Sequence, residues 1–270
     1  MRSALPLALL LMVALAGCGG FMGSAPASTS DSPTPAAVPT DHPLANPPPG
    51  LTAGGISDPQ TLAAAHRDSL NASSFTIQTH VRWQYANGTE ALNVTTRTNV
   101  AATHQQWRTI TTSHQVPTET AVVQFDEWYN GSHSFQRILV NNTTVRTGGP
   151  TFSPNQSVPD RQRSLALVYA SARDPTIRTT NGLIQIQTTT PPTRTALTES
   201  GVENVTNWTL TATVTDDGRV TEYRVTYTGT VAELQGTRVT GETVVSFVVP
   251  AEAGVDRPDW VARNTTATAA

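Results

Sequence analysis

From Phe75 onward the chain alternates. Phe75, Ile77, Thr79, Val81, Trp83 and Tyr85 fall on one side of an extended backbone, and Thr76, Gln78, His80, Arg82 and Gln84 fall on the other. A period of two over that length predicts an antiparallel strand with one wet face. Asn87-Gly88 follows, a dipeptide suited to a tight hairpin because both residues tolerate positive φ, and Leu92, Val94, Thr96, Thr98 and Val100 continue the alternation on the return. Further strands are predicted over His104 to Thr112, Thr120 to Tyr129 and Ser134 to Val140, the last two joined at Asn130-Gly131, with Val145 on one more short strand. After a break the strand pattern resumes at Leu183 to Gln187, Trp208 to Thr215, Val220 to Tyr227 and Val239 to Val249, with Asp217-Gly218 as a turn.

Two segments have helical spacing instead. Leu62, His66 and Leu70 recur at i, i+4, i+8 behind Ser57-Asp58-Pro59, where Asp58 can cap and Pro59 fits the first turn. Leu165, Val168, Tyr169 and Ala172 recur at i, i+3, i+4, i+7 within Asp160 to Ala172, ahead of Asp174-Pro175. The order is helix, strands, helix, strands. It predicts an α+β domain built on a strongly curved, mainly antiparallel sheet, an unclosed half-barrel covered by an N-terminal and a mid-chain helix.

The start of the chain follows a different rule. Arg2, an apolar core from Ala4 to Val13, and Leu15-Ala16-Gly17-Cys18 describe a secretory signal peptide over residues 1–17, too short to remain as a membrane span, ending at a lipoprotein processing site. Cys18, the one cysteine of the 270-residue chain, is therefore the expected lipid attachment point, which places the protein on the extracytoplasmic face of the cell membrane. Residues 18–50 are rich in Gly, Ala, Ser, Thr and Pro and contain almost no large apolar side chains, the composition of a disordered linker. A single folded domain is expected over 51–262, with a frayed tail at 263–270 and Pro258-Asp259-Trp260-Val261 packing back on the domain.

Composition narrows the functional classes. All 17 basic residues are Arg, and the net charge of -3 offers no basic field for nucleic acid. With its cysteine committed to the anchor, the domain forms no disulfide and no thiolate metal site. The six histidines show no metal-ligand spacing, so no metal and no cofactor is expected, and His66 reads as a core-edge histidine. Gly131-Ser132-His133 lacks the flanking glycine of a nucleophile elbow, and Asp216-Asp217-Gly218 lacks the further acids of a calcium loop. The chain is expected not to be an enzyme. Asn-x-Ser/Thr triplets recur along it, and Asn87 and Asn130, in hairpin turns, are the most accessible candidates for glycosylation.

The lipobox Leu15 to Cys18, the Pro-rich spacer, the Asp58-Pro59 helix and the strand aromatics Trp83, Tyr85, Trp128 and Tyr129 together resemble a family of surface lipoproteins from halophilic archaea. Their element order is in turn similar to the LolA-like lipoprotein-carrier fold, a half-barrel whose concave face and covering helices hold acyl chains. The resemblance implies a monomeric, membrane-anchored protein that binds or carries a lipid-like molecule in its concave sheet. The candidates to line such a site are Phe75, Ile77, Trp83, Trp208, Leu210, Tyr223 and Tyr227. The alternative is an envelope module that meets proteins or glycans, with a concavity filled by its own side chains and no ligand; the pattern leaves open which sheet face is concave.

Overall fold

A computed structural model describes residues 44, 46–71, 73–115, 122–154, 156–192, 201–251 and 254–261. Cys18, the signal segment, most of the linker and the terminal tail lie outside them. A short hairpin of β1 (Leu51–Thr52) and β2 (Gly55–Ile56) precedes α1 (Pro59–Ser69). Six strands follow: β3 (Phe75–Tyr85), β4 (Glu90–Val100), β5 (Trp107–Gln115), β6 (Val123–Tyr129), β7 (His133–Val140) and β8 (Thr143–Phe152). Then come α2 (Gln162–Ser171), β9 (Thr176–Thr180), β10 (Leu183–Thr188), β11 (Val202–Val214), β12 (Val220–Val231) and β13 (Thr237–Val248).

Among the described residues β3 to β13 form one 11-stranded antiparallel sheet in the order β8-β7-β6-β5-β4-β3-β13-β12-β11-β10-β9. The sheet is two meanders, β3 to β8 and β9 to β13, sewn together where β13 pairs with β3 from Val239↔Tyr85 to Val248↔Thr76. It curves without closing, and β8 and β9 are its edges. The α+β half-barrel is the architecture that the strand and helix periods predict.

The departures are local and have backbone causes. At the first hairpin Gly88 alone takes positive φ, at 81°, and the ladder slips between Trp83 and Gln84, which is a turn closed by a bulge rather than a two-residue loop. Strand β5 starts at Trp107, not His104, because His104 sits at φ 57° in a turn. The short strand around Val145 is a full ten-residue edge strand, and β9 joins the opposite edge. Strand β11 begins six residues ahead of Trp208; Asn204 and Asn207 have φ of 51° and 49° there, and these irregularities break the alternation that would have marked it.

Helix α1 is fixed at both ends and along its face. The Asp58 carboxylate accepts from the Gln60 and Thr61 N–H groups and from the Thr61 hydroxyl, and these bonds, that of the hydroxyl foremost, hold its pKa below the ordinary value. Leu62 and His66 face the sheet. His66 is fully buried: its ring meets Phe247 edge-on at 4.5 Å, and Nδ1 accepts from the Val220 N–H at 3.0 Å. Because Phe247 pairs with Ile77, α1 covers the face that carries Phe75, Ile77 and Trp83, which is therefore the concave one. At the tip of the β11–β12 hairpin, Gly218 has φ 91°, and a Cβ there would lie 2.7 Å from that of Ala65, so only glycine lets the helix sit this close.

The opposite face has its own centre. Asp126, fully buried, accepts two parallel bonds from Arg108 at 2.9 Å each, one from Arg137 at 3.1 Å and one from the Trp260 indole at 2.7 Å. Beside it Val261 packs with Trp128 and Phe135. The Pro258 to Val261 segment thus docks on the convex face, as its composition suggested.

Burial of His66 gives stability a defined pH dependence. Desolvation pushes its pKa from 6.5 down to about 4, so the unfolded chain binds this proton at a pH where the folded chain does not. The contribution is complete above pH 6.5 and is lost as pH falls toward 4, by about 3 kcal/mol in total. Urea unfolding measured across that range should show the decline, and a His66→Asn variant, which keeps an acceptor for Val220, should lack it.

Candidate functional site

Helix α2 does not seal the concave face. Between it and the sheet lies a cavity of about 400 Å³, walled by Thr79, Val81 and Trp83 of β3, Trp208 of β11, Tyr223, Val225 and Tyr227 of β12, and Val245 of β13. The helix contributes Ser164, Leu167, Val168 and Ser171, and Arg161 stands at its N-terminal end. The volume is within the range of small-molecule sites, about 300–1,000 Å³. Of the seven residues that the alternation pattern nominates, Trp83, Trp208, Tyr223 and Tyr227 line this space. Phe75, Ile77 and Leu210 point to the same side of the sheet but are buried in the packed core beside it.

The wall depends on one glycine. Gly241 pairs with Trp83 on one side and Tyr227 on the other, and a Cβ at Gly241 would lie 2.2 Å from the Tyr227 ring. The empty position lets the two aromatics meet across β13, where the Trp83 indole N–H donates to the Tyr227 hydroxyl at 2.8 Å. Burial pushes the Tyr227 phenol up to about 12, against a smaller opposing effect of the Trp83 bond. Burial also raises Tyr223, with the Arg161 guanidinium opposing it. Both phenols are neutral at any physiological pH. The buried indole N–H of Trp208 has no acceptor among the described residues.

Arg161 has no counterpart in the periodic pattern. It precedes α2 with a left-handed backbone, φ 64°, and Nη2 donates to the Thr79 hydroxyl at 3.3 Å. No local rule marks it; Gly241 at least stands out as a glycine inside an alternating strand. Among the described residues, no group of three His, Cys, Asp or Glu side chains is placed to hold a metal ion. What the site can do chemically is bury an apolar body and donate hydrogen bonds to a polar group attached to it.

The glycosylation candidates differ from one another. Asn87 is exposed in its turn, with Oδ1 accepting from the Thr89 N–H at 2.9 Å. Asn130 is half-buried, because its Oδ1 turns back to accept from the Ser132 and His133 N–H groups and from the Ser132 hydroxyl.

No family model and no curated protein matches the chain. Among solved structures it is similar to LprF from Mycobacterium bovis, at 12% identity and a TM-score of 0.37, over 74% of this chain and 96% of that one. It is also similar to a DUF1329 family protein from Desulfovibrio piger, at 11% identity and a TM-score of 0.29, over 73% and 93% of the respective chains.

A Gly241→Ala substitution should force Tyr227 out of place and break its bond to Trp83. We expect a loss of about 1–3 kcal/mol of stability, read as a lower urea midpoint, together with altered near-ultraviolet circular dichroism from the displaced aromatics.

Proposed function

We propose that the protein is a non-catalytic, membrane-anchored carrier or binder of an acyl-chain-like molecule, held between the concave sheet and α2. The observation that carries this reading is the cavity itself: about 400 Å³ of space walled by Trp83, Trp208, Tyr223, Tyr227 and aliphatic side chains, where a self-filled core would have interdigitated. At about 30 Å³ for each methylene-sized group, the share of space a water takes in the liquid, it accepts on the order of a dozen such groups. Each gains about 0.8 kcal/mol on leaving water, about 10 kcal/mol in all, which is of the same order as the cost of association and of ordering one flexible chain.

In this reading the lipid on Cys18 tethers the domain and the Pro-rich linker sets its reach. Anchoring and binding are separable. Membrane fractionation of a Cys18→Ser chain should release it to the soluble fraction; retention in the membrane at the wild-type level would exclude the thiol as the anchor.

Binding is tested on the full-length Cys18→Ser chain by native mass spectrometry after incubation with a mixture of fatty acids, fatty alcohols and phospholipids. A stoichiometric adduct is the expected result. A bare protein mass at every lipid concentration would overturn the carrier reading and favour an envelope module that meets its partners through its surface.

A further inference from the structure

We propose that the cavity takes a single-chain amphiphile with an anionic head, and that Arg161 is the residue that reads the head. The proposal rests on the carrier reading and specifies its ligand. Among the described lining residues Arg161 is the one that bears a charge, and no Asp or Glu shares the wall. Arg67, Arg82, Arg108, Arg137 and Arg224 each pair with a carboxylate, whereas Arg238, like Arg161, donates to a threonine hydroxyl, and Arg161 is set apart by its place on the cavity wall. Arg161 makes no ion pair among the described residues; its Nη2 reaches only the neutral Thr79 hydroxyl, at 3.3 Å. A half-buried guanidinium beside an apolar cavity is placed to form a charge-assisted hydrogen bond with an anion.

Backbone geometry and the remaining polar groups point the same way. The left-handed backbone of Arg161, φ 64°, is shared by eight other non-glycine residues among those described, and it bears on the site only through the direction it gives the side chain. Here it sets the guanidinium at the end of α2, against the β3 wall. The buried Trp208 N–H, which also lines the cavity, has no acceptor among the described residues. A wall that offers the Arg161 and Trp208 donors and no carboxylate suits an acceptor-rich head and disfavours a cationic one. The space admits one chain of about a dozen methylenes, so the fitting ligand is a fatty carboxylate or an alkyl phosphate.

Isothermal titration calorimetry of the full-length Cys18→Ser chain at pH 8 tests this with four probes of one chain length, each below its micelle-forming concentration: dodecanoate, dodecyl phosphate, dodecanol and dodecyltrimethylammonium. The two anions should bind at least about tenfold more tightly than dodecanol, the value of one charge-assisted hydrogen bond, and the cation most weakly. Arg161→Gln should weaken the anions by about tenfold and leave dodecanol unchanged. Equal affinity of the wild-type chain for dodecanol and dodecanoate would overturn the proposal while leaving the carrier reading intact. A variant that weakens all probes alike would show that Arg161 shapes the cavity without reading the head, and competition by inorganic phosphate alone would reveal a site for free anions; either result overturns the assignment. Failure of every probe to bind would instead remove the carrier reading. If Arg161→Gln does not fold, the wild-type ranking and its weakening by salt decide the question.

Discussion

The pairing of β3 with β13 is the constraint on which the rest of the domain depends. Ten residue pairs in unbroken register join the first and last strands of the sheet, and nothing else in the ladder connects the two meanders. The cavity straddles that seam: Thr79, Val81 and Trp83 come from one side and Val245, Tyr223, Tyr227 and Trp208 from the other. A slip of one residue would turn every side chain of β13 to the wrong face and bring a side chain against Tyr227 where Gly241 now leaves room. Contacts this distant in sequence carry a large loop-closure cost, and the cavity wall is complete only where this pairing is made.

The two faces of the sheet solve different problems. The concave face takes large apolar groups and two helices, and His66 ties the first helix to the strands through a backbone N–H that would otherwise be orphaned. The convex face is polar and is held at one point by charge: Asp126 gathers two guanidiniums and an indole, with the Arg137 guanidinium lying 5.1 Å from the Trp260 ring centre. A buried carboxylate with this many donors fixes where the C-terminal segment lies more than it adds to net stability.

Much of this was legible because burial follows period. The alternation in β3 and β12 identifies Trp83, Tyr223 and Tyr227 as partners on one face, and Leu165 with Val168 and Tyr169 marks the helix that covers them. Which of the seven nominated side chains would surround space, and which would be packed solid, was not legible. Phe75 and Trp83 obey the same rule, and the difference between them is set by where the helices fall. Arg161 was hidden for a different reason: its place on the cavity wall is set by strands distant in sequence, and its own neighbours, Asp160 and Gln162, look like any helix start. Asp126 was equally silent, since a lone acid in a strand reads as solvent-facing until Arg108, Arg137 and Trp260 converge on it.

The unpaired edges at β8 and β9 bear on how much room the domain can offer. In a closed barrel the number of strands and their stagger dictate the radius, and widening it means breaking hydrogen bonds. An open sheet of 11 strands has no such condition. Its curvature is a soft coordinate: small changes of twist spread over many ladders alter the gap between sheet and helix while every backbone bond survives. The pocket is in that sense adjustable in calibre, and a modest change in its width costs no backbone hydrogen bond.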